Sequence, residues 1–230
     1  PVHTVCNDVE GDVAIIGAGI AGISTAFFML KNTKHKVVLV EKNRLAHGAT
    51  GHNAGQVVTY FERSTKDMIK EFGVKDTVNA QRAIEDSWEL LSEMYTEANL
   101  NIPFSRFVGY TGYCTLEQVL DSLEESKIRK ENGLNPYETL VSDSALFLKD
   151  IPKEYESYYK KVSHEEILNL LETENRDYVA TEACNKGTIN SALFCQEVYE
   201  FLKNKYNDRF TLYEGANVKK IVLHDSGAIL

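Results

Sequence analysis

The sequence predicts an α/β fold built on a parallel sheet, and two observations carry the prediction. A short apolar run, Val13 to Ile16, is followed by a glycine-rich turn and then by an apolar, small-residue stretch from Ile20 to Leu30. A second apolar run, Lys36 to Val40, comes next. Short apolar runs bounded by turn residues are typical of buried strands, and the longer stretch between them favours a helix packed on the sheet. We therefore expect Val13–Ile16 to be a central parallel strand.

The turn after the first strand carries glycines at the spacing of a dinucleotide-binding turn. Gly17, Gly19 and Gly22 form the pattern G-x-G-x-x-G. In such a turn the first glycine permits the tight bend, the second lets a pyrophosphate approach the backbone, and the third lets helix and strand pack closely. Glu41 ends the second strand, where a ribose-binding carboxylate is expected. The alternative is an ordinary glycine-rich turn between a strand and a helix.

Composition narrows the class of protein. The chain has 230 residues, 43% of them hydrophobic, which is enough for one or two domains with a substantial core. A formal net charge of -9 argues against a nucleic-acid partner, because phosphate binding needs a basic surface. The cysteines Cys6, Cys114, Cys184 and Cys195 form no C-x-x-C pair, so neither a zinc site nor a disulfide framework is predicted. No apolar run is long enough for a membrane span, and we expect a cytoplasmic protein.

The stretch from Lys42 to Gln56 is rich in Gly, Ala and short polar residues. Thr50 and Asn53 can form hydrogen bonds there, while Gly51 and Gly55 let backbone amides face an anion or a flat ring. The sequence therefore predicts a ligand-binding loop. A mobile surface loop is the alternative, because loops of this composition are common.

Taken together, the glycine-rich turn, the strand ending in Glu41, and the segment from Gly48 to Gly55 resemble the D-amino-acid-oxidase-like FAD-dependent oxidoreductases. That family includes glycine oxidase, sarcosine oxidase and dimethylglycine dehydrogenase. The resemblance implies a Rossmann-like FAD-binding domain with part of an α+β substrate domain. It implies FAD-dependent oxidation of the CH–NH bond of a small amine or amino acid, with oxygen or another acceptor taking the electrons. A hydroxy-acid or glycerol-phosphate dehydrogenase of the same fold, and a non-catalytic FAD-binding fragment, are the alternatives.

The resemblance also assigns cofactor contacts. It implies that Gly19 and Ile20 bind the pyrophosphate, that Glu41 and Lys42 lie at the adenosine ribose, and that the Val218 backbone contacts the adenine. The segment assigned to the flavin side comprises Ala49, Thr50, Gly51, His52, Asn53, Ala54, Gly55 and Gln56. In some members a His at the position of His52 is bonded covalently to the flavin, whereas the alternative is a His that only forms hydrogen bonds or faces solvent. We assign no catalytic residue and no metal ligand.

The resemblance divides the chain into residues 1–100 as a first FAD-binding segment, 101–184 as a partial substrate domain, and 185–230 as a second FAD-binding segment that stops within a hairpin. It implies that the chain corresponds to about the N-terminal half of the family's architecture. Oligomeric state is not predicted. Tyr110 and Tyr113 either line a substrate pocket or are ordinary strand aromatics.

Several further elements follow from local patterns. Capping residues predict helices after Ser64, Ser163 and Asn190, and apolar spacing predicts a long helix from Val74 to Ala98 with Trp88 on its core face. Charged helical sequence is expected from Leu116 to Lys130. The remaining expectations are a hairpin within 102–115, an irregular segment at 150–162, a third parallel strand at 210–213, and a fourth β run at 217–224 that turns into 228–230.

Overall fold

The computed structural model describes residues 8–225 and 227–229. The strands are β1 (Val13–Ile16), β2 (Val37–Val40), β3 (Gln56–Val58), β4 (Phe104–Tyr113), β5 (Glu138–Ser142), β6 (Tyr159–Val162), β7 (Ala180–Ile189), β8 (Phe210–Tyr213), β9 (Val222–His224) and β10 (Gly227–Ile229). The helices are α1 (Ile20–Asn32), α2 (Thr65–Phe72), α3 (Val74–Ala98), α4 (Leu116–Glu131), α5 (His164–Leu170) and α6 (Ser191–Lys205).

The chain forms two compact units. Unit 1 comprises the described residues up to 56, 90–105 and those from 188 onward, and unit 2 comprises 57–89 and 106–187. Residues 57–89, which the family resemblance placed in the first FAD-binding segment, therefore cluster with unit 2. Cys6 and Leu230, which entered the expectations above, lie outside the described residues.

Unit 1 contains a three-stranded parallel sheet in the order β1-β2-β8. All four residues of β2 are buried, whereas exposure alternates along β1 and Ile16 is 51% exposed. The expectation of a central β1 is thus wrong for the described residues, because β2 is the strand with a neighbour on both sides. The predicted third parallel strand is confirmed as β8.

The two helices α1 and α6 of unit 1 pack through buried apolar side chains. Phe27 of α1 is 1% exposed, and its ring lies 5.8 Å from that of Phe201 of α6. Phe194 of α6 is fully buried. Burial of such side chains stabilises the fold by roughly 1.5–3 kcal/mol each.

The last strands of unit 1 differ from the expected fourth β run. Only Val222–His224 of the segment 217–224 is a strand, and it pairs antiparallel with β10. Just before this segment, the N–H groups of Gly215 and Ala216 donate to the carbonyls of Asn43 and Glu41, at 2.9 and 2.8 Å. These bonds hold the chain at the end of β2, so strand pairing begins only later.

Unit 2 is organised around a mixed sheet in the order β3-β7-β5-β6, with β4 also paired to β7. Strand β5 is antiparallel to β7 and parallel to β6. Helix α4 contributes Val119 and Leu123, both fully buried, to a core shared with Val141 and Ala180. Tyr113 packs against this core, so the structure places it as a strand aromatic.

Two expectations for unit 2 are wrong. The hairpin expected within 102–115 is one continuous strand, β4. A Cβ on Gly109 would lie 2.5 Å from the Lys186 side chain, and one on Gly112 would lie 2.6 Å from that of Tyr178, so both glycines permit close packing within a strand. The segment expected to be irregular ends in β6, where two consecutive exposed lysines lie between half-buried residues and so give no alternating pattern.

The capping predictions are confirmed. The side chains of Ser64, Ser163 and Asn190 each accept a backbone N–H from the first turn of the following helix. The long helix α3 has the predicted bounds, and Trp88 is 8% exposed. Among the residues described, none of the helices combines the length and the apolar composition needed to cross a membrane.

Candidate functional site

The candidate site lies where β1 and β2 end and α1 begins. Gly17 has a φ of 96°, a value that glycine adopts readily, and its N–H donates to the Val40 carbonyl at 2.7 Å. A Cβ on Gly22 would lie 1.9 Å from the Gly17 carbonyl oxygen. The structure therefore shows the tight turn at Gly17 and the close packing at Gly22 that the spacing predicts.

Glu41 closes this turn from the end of β2. Its Oε2 accepts the Ala18 N–H at 2.9 Å, its Oε1 accepts the Asn43 N–H at 2.8 Å, and the residue is 9% exposed. Each carboxylate oxygen has more than one lone pair, so both retain capacity to accept a further hydrogen bond. The ribose contact expected for Glu41 stays a prediction. The carboxylate lies beside the glycine-rich turn, which is the position that this contact requires.

The N-terminus of α1 is capped from the loop 42–56. Gly19, at the cap position, has no side chain for this purpose, and Thr50 Oγ1 instead accepts the Ile20 N–H at 3.0 Å. A Cβ on Gly19 would lie 2.8 Å from that same oxygen. The missing side chain of Gly19 thus makes room for the Thr50 hydroxyl. Of the two amides assigned to a pyrophosphate, the Ile20 amide is bonded to Thr50.

The loop 42–56 follows a course fixed by close backbone contacts. The Ala46 N–H donates to the Ala18 carbonyl at 2.9 Å, and a Cβ on Gly51 would lie 2.4 Å from the Ala46 carbonyl oxygen. Gly55 has a φ of 69°, and a Cβ there would lie 2.0 Å from the Ile189 carbonyl oxygen. The loop is therefore packed against itself at Gly51 and against other parts of unit 1 at Ala46 and Gly55.

Asn53 bonds the loop to itself. Its Nδ2 donates to the carbonyls of Ala49 and Thr50, at 3.1 and 2.9 Å, and its Oδ1 accepts the Gly55 N–H at 2.7 Å. The Ser191 hydroxyl, at the start of α6, lies 2.7 Å from the Thr50 carbonyl and 3.0 Å from Asn53 Oδ1. Sequence reasoning missed Ser191. The predicted cap at Asn190 was the available signal, since it places Ser191 at the first helical position.

A cavity of about 490 Å³ opens against this loop. On one side it is lined by five of the residues assigned to the flavin side, namely Thr50, Gly51, Asn53, Ala54 and Gly55. Residues 188–192, Pro103 and Ser105 form the rest of the lining. The volume lies within the usual range for small-molecule sites. Ala49, His52 and Gln56 are not part of the lining.

His52 lies at the surface of the loop. Its Nδ1 is 2.9 Å from the Gly48 carbonyl oxygen, and its ring lies edge-on to that of His47, with the centroids 5.8 Å apart. A nitrogen beside a carbonyl oxygen must carry the hydrogen, so the neutral ring keeps its lone pair on Nε2. The structure thus shows the hydrogen bond expected in the alternative interpretation and leaves the other nitrogen available.

The remaining assigned residues flank the end of β2. Lys42 is exposed, and Val218 is half-buried two positions after Ala216, whose N–H binds the Glu41 carbonyl. A larger groove of about 990 Å³ between α6 and Arg44, Leu45 and Glu214 contains none of the assigned residues. Within the described ranges, no group of His, Cys, Asp and Glu side chains is arranged to hold a metal ion.

Unit 2 contains a separate ionisable cluster around Glu182. Ser122 Oγ donates to Glu182 Oε2 at 2.5 Å and lies 3.1 Å from Thr139 Oγ1. Burial raises the pKa of Glu182, against the opposing hydrogen bonds from Ser122 and Tyr113. Burial likewise raises the pKa of Tyr113. None of the residues assigned from the sequence to the cofactor belongs to this cluster.

The comparisons with known proteins cover most of the chain. A family model described as FAD dependent oxidoreductase matches residues 12–227. Gamma-glutamylputrescine oxidoreductase of Escherichia coli is 26% identical over 149 residues, which are 64% of this chain and 34% of that protein.

Solved structures show the same fold. Glycine oxidase from Geobacillus kaustophilus superposes with a TM-score of 0.63 and 19% identity, over 95% of this chain and 50% of its own. L-alpha-glycerophosphate oxidase from Mycoplasma pneumoniae, solved with FAD bound, gives a TM-score of 0.62 and 20% identity, over 95% and 48%. The chain thus spans about half the length of these solved relatives and a third of the curated one. The match over residues 12–227 shows that the chain belongs to the FAD dependent oxidoreductase family, whose cofactor is FAD.

Proposed function

We propose that this chain holds FAD in unit 1 and is part of an enzyme that oxidises the CH–NH bond of a small amine or amino acid. The observation that carries the proposal is the meeting of the loop 42–56 with the N-terminus of α1, through the bond from Ile20 N–H to Thr50 Oγ1. The names of two relatives, gamma-glutamylputrescine oxidoreductase and glycine oxidase, support the amine or amino-acid substrate.

The residues around the turn fit a ligand that carries phosphates. A Cβ on Gly17 would meet nothing within 4 Å, and the first turn of α1 contains no acidic residue. A helix N-terminus attracts negative charge, because its first N–H groups point outward. The Thr50 hydroxyl accepts from Ile20 and still has its own proton to donate. This O–H is placed to bind a phosphate oxygen at the start of α1.

In this proposal the other assigned residues contact different parts of the cofactor. Glu41 has lone pairs left for ribose hydroxyls, and Lys42 adds an exposed positive charge next to it. Asn53, Ala54 and Gly55 line the cavity assigned to the flavin side. Bound FAD supplies the oxidising chemistry. The chain's own task is to orient the cofactor and to exclude water from one side of it.

Oxidation of a glycerol phosphate is the second candidate, because L-alpha-glycerophosphate oxidase has a comparable TM-score. Both candidates require the same cofactor site. They differ in the group that donates the hydride, a carbon next to nitrogen or a carbon next to a hydroxyl.

The test has a binding step and a reduction step. The purified chain is titrated with FAD while the flavin fluorescence is followed, and FMN, which lacks the adenosine half, serves as the matched ligand control. We expect saturable FAD binding and much weaker FMN binding. No saturable FAD binding would contradict the cofactor assignment. Flavin reduction is then followed under anaerobic conditions as a loss of the visible flavin absorbance. Reduction by amines or amino acids, and not by glycerol 3-phosphate, supports the proposed substrate class. The opposite result overturns it.

A further inference from the structure

We propose that Ser191 is a positioning residue for the cofactor, which acts by holding Thr50 at the N-terminus of α1. The proposal rests on the proposed FAD site. Thr50 is bonded at two points, since its hydroxyl accepts the Ile20 N–H at 3.0 Å and its carbonyl lies 2.7 Å from Ser191 Oγ. Thr50 and Ser191 are 9% and 8% exposed, so water competes little for these bonds. Thr50 therefore joins the N-termini of α1 and α6.

The Ser191 hydroxyl is free for this task because its neighbour caps the helix. The Asn190 side chain accepts the Leu193 N–H at 3.0 Å, which is the bond that a serine near a helix start often supplies. The single proton of Ser191 Oγ is directed at the Thr50 carbonyl, with Asn53 Oδ1 as a second acceptor at 3.0 Å. Ser191 thus contacts both loop residues that organise the cavity wall.

Loss of this hydroxyl has a local consequence. The Thr50 carbonyl still accepts from Asn53 Nδ2 at 2.9 Å, so it does not become an unsatisfied group. The hydrogen bond between Thr50 and α6 is lost, however. The position of the Thr50 hydroxyl relative to the Ile20 amide is then less well fixed. A ligand that needs this hydroxyl then has to order the loop as it binds, which lowers its affinity.

Ser191→Ala is compared with Ser191→Thr, which keeps the hydroxyl, and with Ser163→Ala, which removes a serine hydroxyl from a helix start in unit 2. We expect Ser191→Ala to weaken FAD binding by about 3- to 10-fold, the range for one net hydrogen bond. Ser191→Thr should restore most of the affinity, and Ser163→Ala should leave it unchanged. An unchanged FAD dissociation constant in Ser191→Ala would overturn the proposal.

Amide hydrogen exchange without FAD separates this proposal from the proposed function. We expect faster exchange at Ile20 and Gly55 in Ser191→Ala and unchanged exchange in Ser163→Ala. If the chain binds no FAD but exchange rises as expected, Ser191 positions the loop and the cofactor assignment fails. If FAD binds and neither exchange nor affinity changes, the role of Ser191 fails alone. A uniform rise in exchange over all of unit 1 would show a general structural role and also contradict the proposal.

Discussion

Each of the two units contains a glutamate that is shielded from solvent, and the two glutamates differ in their hydrogen-bond donors. Glu41 in unit 1 accepts two backbone N–H groups, from Ala18 and Asn43. Glu182 in unit 2 accepts side-chain hydroxyls, from Ser122 and Tyr113. Backbone donors are fixed by the course of the chain, whereas hydroxyls rotate and can also serve a protonated carboxyl group. The comparison indicates that Glu41 is held by donors that the course of the backbone supplies, whereas burial raises the pKa of Glu182 and so favours its bound proton.

The largest expected effect comes from breaking the backbone arrangement in unit 1. Gly19→Val should abolish FAD binding, because a Cβ there would lie 2.8 Å from Thr50 Oγ1 and the branched side chain would fill the phosphate position. Unit 2 should be unaffected. Trp88, the single tryptophan, lies in unit 2, so its fluorescence reports on that unit. A variant that folds and still binds FAD would place the phosphates elsewhere.

The second test removes the carboxylate of Glu41. Glu41→Ala leaves the Ala18 and Asn43 N–H groups without their acceptor, and each such buried donor costs roughly 1–3 kcal/mol. We expect a lower free energy of unfolding and FAD binding weaker by ~1.5–3 kcal/mol, the range for a hydrogen bond to a charged group. Denaturant titration and FAD titration measure the two effects. Unchanged flavin affinity would remove Glu41 from the cofactor site.

The third test makes the opposite prediction for unit 2. Glu182→Gln keeps an oxygen that accepts from Ser122 and removes the charge that burial disfavours. At pH 8 we expect a melting temperature higher by about 2–4 °C, which corresponds to roughly 1 kcal/mol in a chain of this size. The matched variant Glu41→Gln should be destabilised, because its amide NH₂ replaces an oxygen that accepts a backbone N–H. Equal signs for the two variants would refute the comparison.

The pH dependence of the Glu182 effect follows from the direction of its pKa shift. Burial raises the pKa of Glu182, and the nearby charge of Glu125 raises it further. The hydrogen bonds from Ser122 and Tyr113 lower it, as does the charge of Arg129. The native state therefore keeps the Glu182 proton to a higher pH than the unfolded chain, whose pKa is near 4.5. Between these two values the native state binds more protons, so the stability contribution of Glu182 falls as pH rises. The gain in Glu182→Gln should be absent below pH 4.5 and should grow above it. A gain independent of pH would contradict this assignment.

The smallest effect on stability is expected at His52, which lies on the surface. His52→Ala removes one hydrogen bond to the Gly48 carbonyl and should leave the melting temperature nearly unchanged. The more informative test of this variant asks whether His52 is bonded covalently to the flavin. Holoenzyme is denatured and run on a gel under ultraviolet light. Fluorescence that stays with the polypeptide and is lost in His52→Ala supports a covalent flavin bond through Nε2, whereas flavin released freely by acid contradicts it.

Much of unit 1's site could be predicted, because its parts are close in sequence or follow a fixed spacing. The turn at Gly17, the packing at Gly22 and the placement of Glu41 at the turn agree with the structure. Ser191 could not be found in this way, since 141 positions separate it from Thr50. Nothing in the residues near Ser191 shows which carbonyl its hydroxyl binds.

The sequence by itself determined the local features of this protein. Helix caps at Ser64, Ser163 and Asn190 join residues three positions apart. Because donor and acceptor are so close along the chain, few other groups compete for these hydrogen bonds. Only the tertiary structure decided which strand is central in unit 1, that 104–113 forms one strand, and that Ser191 meets Thr50. The physical reason is that these contacts join distant parts of the chain, whose partners are selected by burial and packing of the whole unit.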